Sequence, residues 1–345
     1  MTTMSELGEK AFLRSLLPSL HVDKAFINGF GHDASIIDLG LEQFLAFKID
    51  RAPFPVAIHR GIGDYRTWGR LAVVANVSDL LAVGAKPRAL MLSVVVPGDF
   101  ESENLREIIA GCEDACADHD IAFLGGDTKE GPASQVIGAA LGTVEKDAAY
   151  GRGIANSGDY LFIAGRLGGF AAATALIEKK SFKSPPPEKW THLLTHPTAR
   201  ILEGNYLRNS KKIAAACDLS DGLTEAIQIF CRNGTGISID EATLPMHPFA
   251  VEASEKFDVP LWNFAFGVGD WAIACVVRET DIDNFRAGIT DELELFEIGR
   301  FNSTGQMLVI DGKGLENPLP SLINEHFRKR AEDDGSYLNE LLHKP

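Results

Sequence analysis

Cysteine is scarce: five in 345 residues, an odd number without metal-type spacing. That excludes a disulfide framework and is in keeping with a reduced, cytoplasmic protein. No apolar run reaches the roughly 20 residues of a membrane span. Met1 to Lys10 is polar, and the next apolar stretch is broken by Arg14 and Pro18, so no secretory signal is expected. Positive charge is also short. Lys and Arg number 33 against 48 Asp and Glu, a formal net charge of −15 that repels nucleic acid and anionic membrane. Neither is expected as a partner. The phosphate-cradling run G-x-x-x-x-G-K-[ST] is missing, and so is the H-R-D and D-F-G pair of protein kinases. Gly29-Phe30-Gly31 is a weak dinucleotide signal, because no helix follows it.

What is present suits a globular enzyme: 45% of residues are hydrophobic and 23% charged. The length fits about two domains. A stretch rich in Gly, Asn and Ser from Tyr150 to Asp159 marks the boundary, giving 1–149 and 150–345. Both halves alternate helical and strand patterns, which predicts an α/β (α+β) fold. Glu6 to Leu20 reads as an amphipathic helix. Phe44 to Ile49 reads as a strand delivering Asp50 at its C-terminal end. Asp64 to Gly84 is mostly helical, and Asn76 and Asp79 share one face of it, flanked by apolar residues; a buried polar site is the reading there. Ala89 to Val96 is a buried strand. Ser102 to His119 is a helix capped by Ser102, with Cys112 and Cys116 on its buried face. Ile121 to Leu124 is a strand that ends in the turn Gly125-Gly126-Asp127-Thr128. Ser184-Pro185-Pro186-Pro187 is a loop. Ile213 to Cys217 is a strand leading into Asp218-Leu219-Ser220-Asp221-Gly222, before a helix from Leu223 to Asn233. The tail from about Leu293 alternates strand and turn signals and ends in a charged helical segment.

Asp33, Asp50, Asp79, Asp127, Asp218 and Asp221 each stand at an element end or in an apolar setting. Hard oxygen ligands grouped this way suit Mg²⁺, and Mg²⁺ beside backbone N–H groups suits a nucleoside triphosphate. Phosphoryl transfer needs positioning and charge neutralisation more than a protein base. Each acidic turn alone also fits a plain cap or turn former; the combination points to a metal site. The start of the helix after Asp221 offers free N–H groups to an anion. Arg152 could contact a phosphate, and a solvated surface role fits it equally.

In order and spacing these motifs resemble the aminoimidazole ribonucleotide synthetase-like (AIR synthase-like) ATP-binding superfamily, and within it the thiamine-monophosphate kinases. The matching segments are Leu7-Gly8-Glu9, Gly31-His32-Asp33-Ala34, the strand bearing Asp50, and Asn76-Val77-Ser78-Asp79-Leu80 with Gly84-Ala85-Lys86-Pro87. Gly125-Gly126-Asp127-Thr128, Asp218-Leu219-Ser220-Asp221-Gly222-Leu223, Ile298-Gly299-Arg300 and Glu325-His326-Phe327 complete the set. The resemblance implies a homodimer formed by pairing of the N-terminal domains, a C-terminal α/β domain behind, and ATP with several Mg²⁺ ions. Asp33, Asp50, Asp79, Asp127, Asp218 and Asp221 would then be metal ligands, with Asp79, Asp127 and Asp221 catalytic. Gly125, Gly126, Asp127, Arg152 and Ser220 would meet the nucleotide. The substrate would be a small molecule near His59, Asp270 and Asn324.

One departure, His32, touches the metal set, where a position is lost, shifted or taken by imidazole; the others fall on the substrate side. The family's G-D-D-A-A is Gly31-His32-Asp33-Ala34-Ser35, with His32 for a carboxylate. Its V-H-F region reads Val56-Ala57-Ile58-His59-Arg60. Its G-G-E-D-Y-E-L reads Gly267-Val268-Gly269-Asp270-Trp271-Ala272-Ile273, where Gly269 replaces a Glu, and its tail aromatic is Asn324. The expected reaction is ATP-dependent phosphoryl transfer, to thiamine monophosphate or another small acceptor. Alternatives are ATP-driven activation of an amide or carbonyl oxygen, and a nucleotide-binding regulator without turnover.

Overall fold

A computed structural model of the chain describes residues 3–179, 185–320 and 341–342. The expected tail helix, with Asn324 and Glu325-His326-Phe327, lies outside the described residues, as does Ser184. After the short helices α1 (Met4–Leu7) and α2 (Glu9–Leu16), the first half holds β1 (Ser35–Ile37), β2 (Phe44–Ala52), α3 (Val56–His59), α4 (Arg66–Leu81), β3 (Lys86–Val96), α5 (Ser102–Asp118), β4 (Ala122–Glu130) and β5 (Gln135–Val144). The second half holds β6 (Tyr160–Ala164), α6 (Gly169–Glu178), α7 (Glu188–Thr195), α8 (Ile201–Ser210), β7 (Ile213–Asp218), α9 (Leu223–Phe230), β8 (Gly236–Asp240), α10 (Pro248–Phe257), β9 (Ile273–Val277), α11 (Ile282–Ala287), β10 (Leu295–Asn302), β11 (Met307–Ile310) and β12 (Glu316–Pro318).

Two sheets result. The first has the order β1-β2-β5-β3-β4, the second β12-β11-β8-β10-β6-β9-β7. Strand alternation gives the first sheet two unlike faces. Ala46, Leu90, Leu92, Val136 and Ala140 are buried on one. On the other, Phe47, Ile49, Met91 and Leu124 are exposed large apolar residues.

Helix α4 organises the interior. Fourteen of its residues are buried, from Thr67 to Leu81, so it lacks a polar stripe. Its Val73, Val77 and Leu80 share one apolar cluster with Leu90 and Val136 of the first sheet and with Phe162, Ala216 and Ile273 of the second. A helix wrapped this way carries Asn76, Ser78 and Asp79 inside with it, at 0%, 0% and 5% exposure. The close approach is possible because Gly138 of β5 faces Asn76: a Cβ there would lie 2.4 Å from Asn76 Nδ2.

Several boundaries differ from those expected. The first helix breaks at Gly8, whose φ of 79° ends α1 and precedes α2. Strand β2 runs on to Ala52, so Asp50 lies within it. Ser102 is the first residue of α5, and Glu101 holds the cap position. The expected turn at Gly125-Gly126 is strand: β4 continues to Glu130 beside β3, with a register shift between Leu90 and Leu92. There the carbonyl oxygen of Leu92 would be 1.7 Å from a Cβ on Gly126, a contact only glycine permits. Strand β8 and helices α7, α10 and α11 were not anticipated. Cys112 and Cys116 are both buried in α5, as expected.

Candidate active site

Three acidic side chains converge from distant parts of the chain. Asp33 precedes β1, Asp79 lies near the end of α4, and Asp218 is the last residue of the edge strand β7. All three are buried, and they offer oxygen atoms within 4.8 Å of one another. The adjoining backbone explains two of these positions. Strand β7 is paired to β9 as far as Asp218, opposite Ile273, and its ladder ends there. Helix α4 carries Asp79 because its surrounding apolar residues are packed on every side.

Such a cluster demands positive charge. Two protein cations supply part of it. Arg152 binds Asp33 Oδ1 through Nε at 2.9 Å and Nη2 at 2.6 Å. Lys48, on β2, sets Nζ 3.0 Å from Asp79 Oδ2 and 3.8 Å from Asp50. The carboxyls are nevertheless pushed above their usual range. Burial is the main cause for Asp79, followed by the neighbouring Asp218, against the pull of Lys48. Burial and then Asp33 push Asp218 up to about 7. Burial raises Asp33 despite Arg152. Burial alone would lower Lys48, but Asp79 and Asp50 carry it above its ordinary value. Asp33 Oδ2 is buried with no hydrogen-bond partner among the described residues. Oxygen donors held this close, with one lone oxygen over, fit a hard divalent cation.

The other expected residues are dispersed to different degrees. Asp50 is on the same face of β2 as Lys48, with its side chain 45% exposed. Ser220 donates Oγ–H to Asp218 Oδ1 at 3.2 Å. Asp221 is half-buried in the turn before α9. Gly125, Gly126 and Asp127 sit on the edge strand β4, where Asp127 is exposed and 3.7 Å from Lys129. Asp127 pairs with Ser93, Ser93 with Ile137, and Ile137 with Arg51. It is therefore level with Arg51, one residue past Asp50 and on the opposite face of the sheet, three strand spacings away, roughly 14 Å. His59, the last residue of α3, is exposed.

Asp270 has a local task. It accepts the N–H of Gly168 at 2.7 Å and of Phe170 at 2.8 Å, holding the N-terminus of α6. Beside it, Gly269 has φ +98°, and a Cβ there would meet the Phe170 ring at 2.5 Å. Phe170 thus occupies the space that a side chain at 269 would need. His32 is not among the three clustered groups. Its Nδ1 is buried against Gly151 without a hydrogen-bond partner among the described residues.

Lys48 is the residue that sequence reasoning passed over. Its signal was present: a lysine two positions before Asp50, in step with it on an otherwise apolar strand.

Comparison with known proteins agrees with this layout. Residues 31–144 match the family model described as AIR synthase related protein, N-terminal domain. The thiamine-monophosphate kinase of Buchnera aphidicola subsp. Schizaphis graminum is 30% identical over 275 residues, 79% of this chain and 83% of that protein. That of Methanocaldococcus jannaschii is 30% identical over 298 residues, 83% of this chain and 90% of its own. The solved structure of AaThiL complexed with AMPPCP and TMP superposes with a TM-score of 0.76 at 23% identity, covering 93% of this chain and 98% of that one, and shows a shared fold.

Proposed function

The chain belongs to the thiamine-monophosphate kinase family, and on that premise we propose that it transfers the terminal phosphoryl group of ATP, with Mg²⁺, to a small phosphorylated acceptor. Thiamine monophosphate is the first candidate, giving ADP and thiamine diphosphate. The observation that carries the reading is the convergence of buried Asp33, Asp79 and Asp218. These three, with Asp50 at their margin and Asp221 in the adjoining turn, would hold Mg²⁺. When bound, the ion would neutralise charge on the phosphate oxygens and hold them in line with the acceptor.

The protein's own part is positioning. Arg152 fixes Asp33 through two N–H donors on one oxygen, keeping Oδ2 free for a ligand. Ser220 orients Asp218. The turn Ser220-Asp221-Gly222 opens α9, whose first N–H groups suit a phosphate. Gly125, Gly126 and Asp127 are the proposed nucleotide-facing residues of β4, with Asp127 as a further metal ligand. Asp79, Asp127 and Asp221 are the proposed catalytic carboxylates, and no general base is assigned. The register sets Asp127 on the face of Arg51, so its recruitment requires the ligand to reach round the edge strand β4 from the face that carries Asp50.

Residues 1–149 are the proposed nucleotide domain and 150–345 the second domain. The exposed apolar face with Phe47, Ile49, Met91 and Leu124 supports a homodimer paired through the first sheet. Five free, buried cysteines suit a reducing, cytoplasmic setting. No helix of the described residues is long and apolar enough to cross a membrane.

The test is ATP turnover with thiamine monophosphate, followed by ADP release and by chromatography of thiamine diphosphate. Formation of thiamine diphosphate is the expected result. ADP release only with another small phosphate would retain the kinase and change its acceptor. Tight ATP binding without ADP release, whatever the acceptor, would overturn the reading.

A further inference from the structure

Lys48 stands between two of the carboxylates, Asp79 and Asp50. It projects from β2 toward α4, alternating with Phe47 and Ile49 on the exposed face. Its neighbours on the inner side are Ala46, fully buried, and Asp50. An ammonium in such a place is stable only when paired. Its partners are Asp79 Oδ2 at 3.0 Å and Asp50 at 3.8 Å, two of the carboxylates assigned above to Mg²⁺. Mg²⁺ binds oxygen at about 2.1 Å. An ion on that same oxygen would face the ammonium at close range, with little water between to screen them. The opposite end of the cluster is different. Arg152 engages only Oδ1 of Asp33, and Oδ2 remains without a hydrogen-bond partner among the described residues.

We propose that Lys48 is a fixed cation of the carboxylate cage, which occupies the Asp79–Asp50 end and keeps one divalent ion out of it. The ion-binding end is then the one made by Asp33 Oδ2, Asp218 and the Asp79 oxygen that Lys48 does not engage. Lys48 is a positioning residue: it acts through Asp79 and Asp50 and sets how many divalent ions the cage takes. The inference rests on the metal reading of the preceding section.

The experiment is a Mn²⁺ titration of the full chain without nucleotide, with free Mn²⁺ followed by electron paramagnetic resonance. Wild type, Lys48→Gln and Lys48→Arg are compared. Lys48→Gln is expected to bind one more Mn²⁺ per chain than wild type, or to bind Mn²⁺ at least ~tenfold more tightly. Lys48→Arg keeps the charge and is expected to keep the wild-type number. Equal number and affinity in all three would overturn the proposal while leaving the metal site standing. Absence of Mn²⁺ binding in all three would overturn the metal reading and this inference with it. Should Lys48→Gln fail to fold in metal-free buffer, refolding is repeated with Mn²⁺. Recovery only with Mn²⁺ supports the proposal, since the ion then replaces the lost charge; failure in both buffers overturns it.

Discussion

Asp79→Asn separates the charge of the cluster from its shape. Asparagine has nearly the volume of aspartate and resembles its protonated form. With the oxygens of Asp33, Asp79 and Asp218 within 4.8 Å, each ionised pair repels by about 3.5 kcal/mol at an effective dielectric constant of about 20. Asp79 therefore bears about 7 kcal/mol from its two neighbours. Lys48 at 3.0 Å returns about 5.5 kcal/mol on the same scale. The balance of about 1.5 kcal/mol favours a neutral side chain, and burial pushes the same way. The same balance, with burial as its largest part, holds the carboxyl well above its usual range. The variant is thus expected to be as stable as wild type in EDTA, or up to about 1 kcal/mol more stable, by urea denaturation followed by circular dichroism. Its ATP turnover is expected to fall at least ~100-fold, about 2.7 kcal/mol of transition-state stabilisation. The rise in melting temperature given to the wild type by Mg²⁺ should shrink or vanish. A variant several kcal/mol less stable in EDTA, or one with full turnover, would refute the reasoning.

Three further outcomes follow from individual contacts. His119, 6% exposed, donates Nδ1–H to the Ala115 carbonyl at 2.6 Å and accepts the Ala199 N–H on Nε2 at 3.0 Å, so it must be neutral. Burial lowers its pKa below the ordinary 6.5. The unfolded chain then takes up a proton first, and this part of the stability, complete above pH 6.5, is lost as pH falls below it; His119→Gln should flatten the dependence of the denaturation midpoint between pH 7.5 and 5.5. Asp270→Ala strands two N–H groups at the start of α6 and should cost about 2–3 kcal/mol in urea denaturation, whereas unchanged stability with a raised KM would show a substrate role in place of the cap. Ile49→Glu, on the exposed face of the first sheet, should turn the proposed dimer into a monomer in sedimentation velocity; a dimer of unchanged mass would remove that face as the interface.

The elements that local pattern determines were readable from the chain alone. Helix α4 and strand β3 are apolar runs whose surroundings do not contradict them. Where the reading failed, a partner had overruled the local signal. Gly125-Gly126 looks like a turn in isolation, yet β3 offers a ladder that carries β4 through both glycines. Strand β8 was not anticipated, because β10 and β11 on its two sides are what make it strand. Asp270 carries the family's motif, but only the fold shows that its carboxylate is spent on the N–H groups of Gly168 and Phe170.

The same distinction governs the site. The carboxylates could be named because each sits in a recognisable local setting, but which of them come close enough to hold one cation depends on how β2, α4 and β7 cross. Asp127 and Asp33 look equivalent in the sequence; the fold buries Asp33 beside Asp79 and leaves Asp127 exposed across the sheet. Lys48 is the opposite case, an inconspicuous residue whose importance comes entirely from the register that faces it toward Asp79. If a cage contains both its carboxylates and a built-in cation, counting acidic residues overstates the number of ions it takes. The charge that matters is the sum over everything within a few ångströms, and here that sum includes Lys48 and Arg152 as well as the acids.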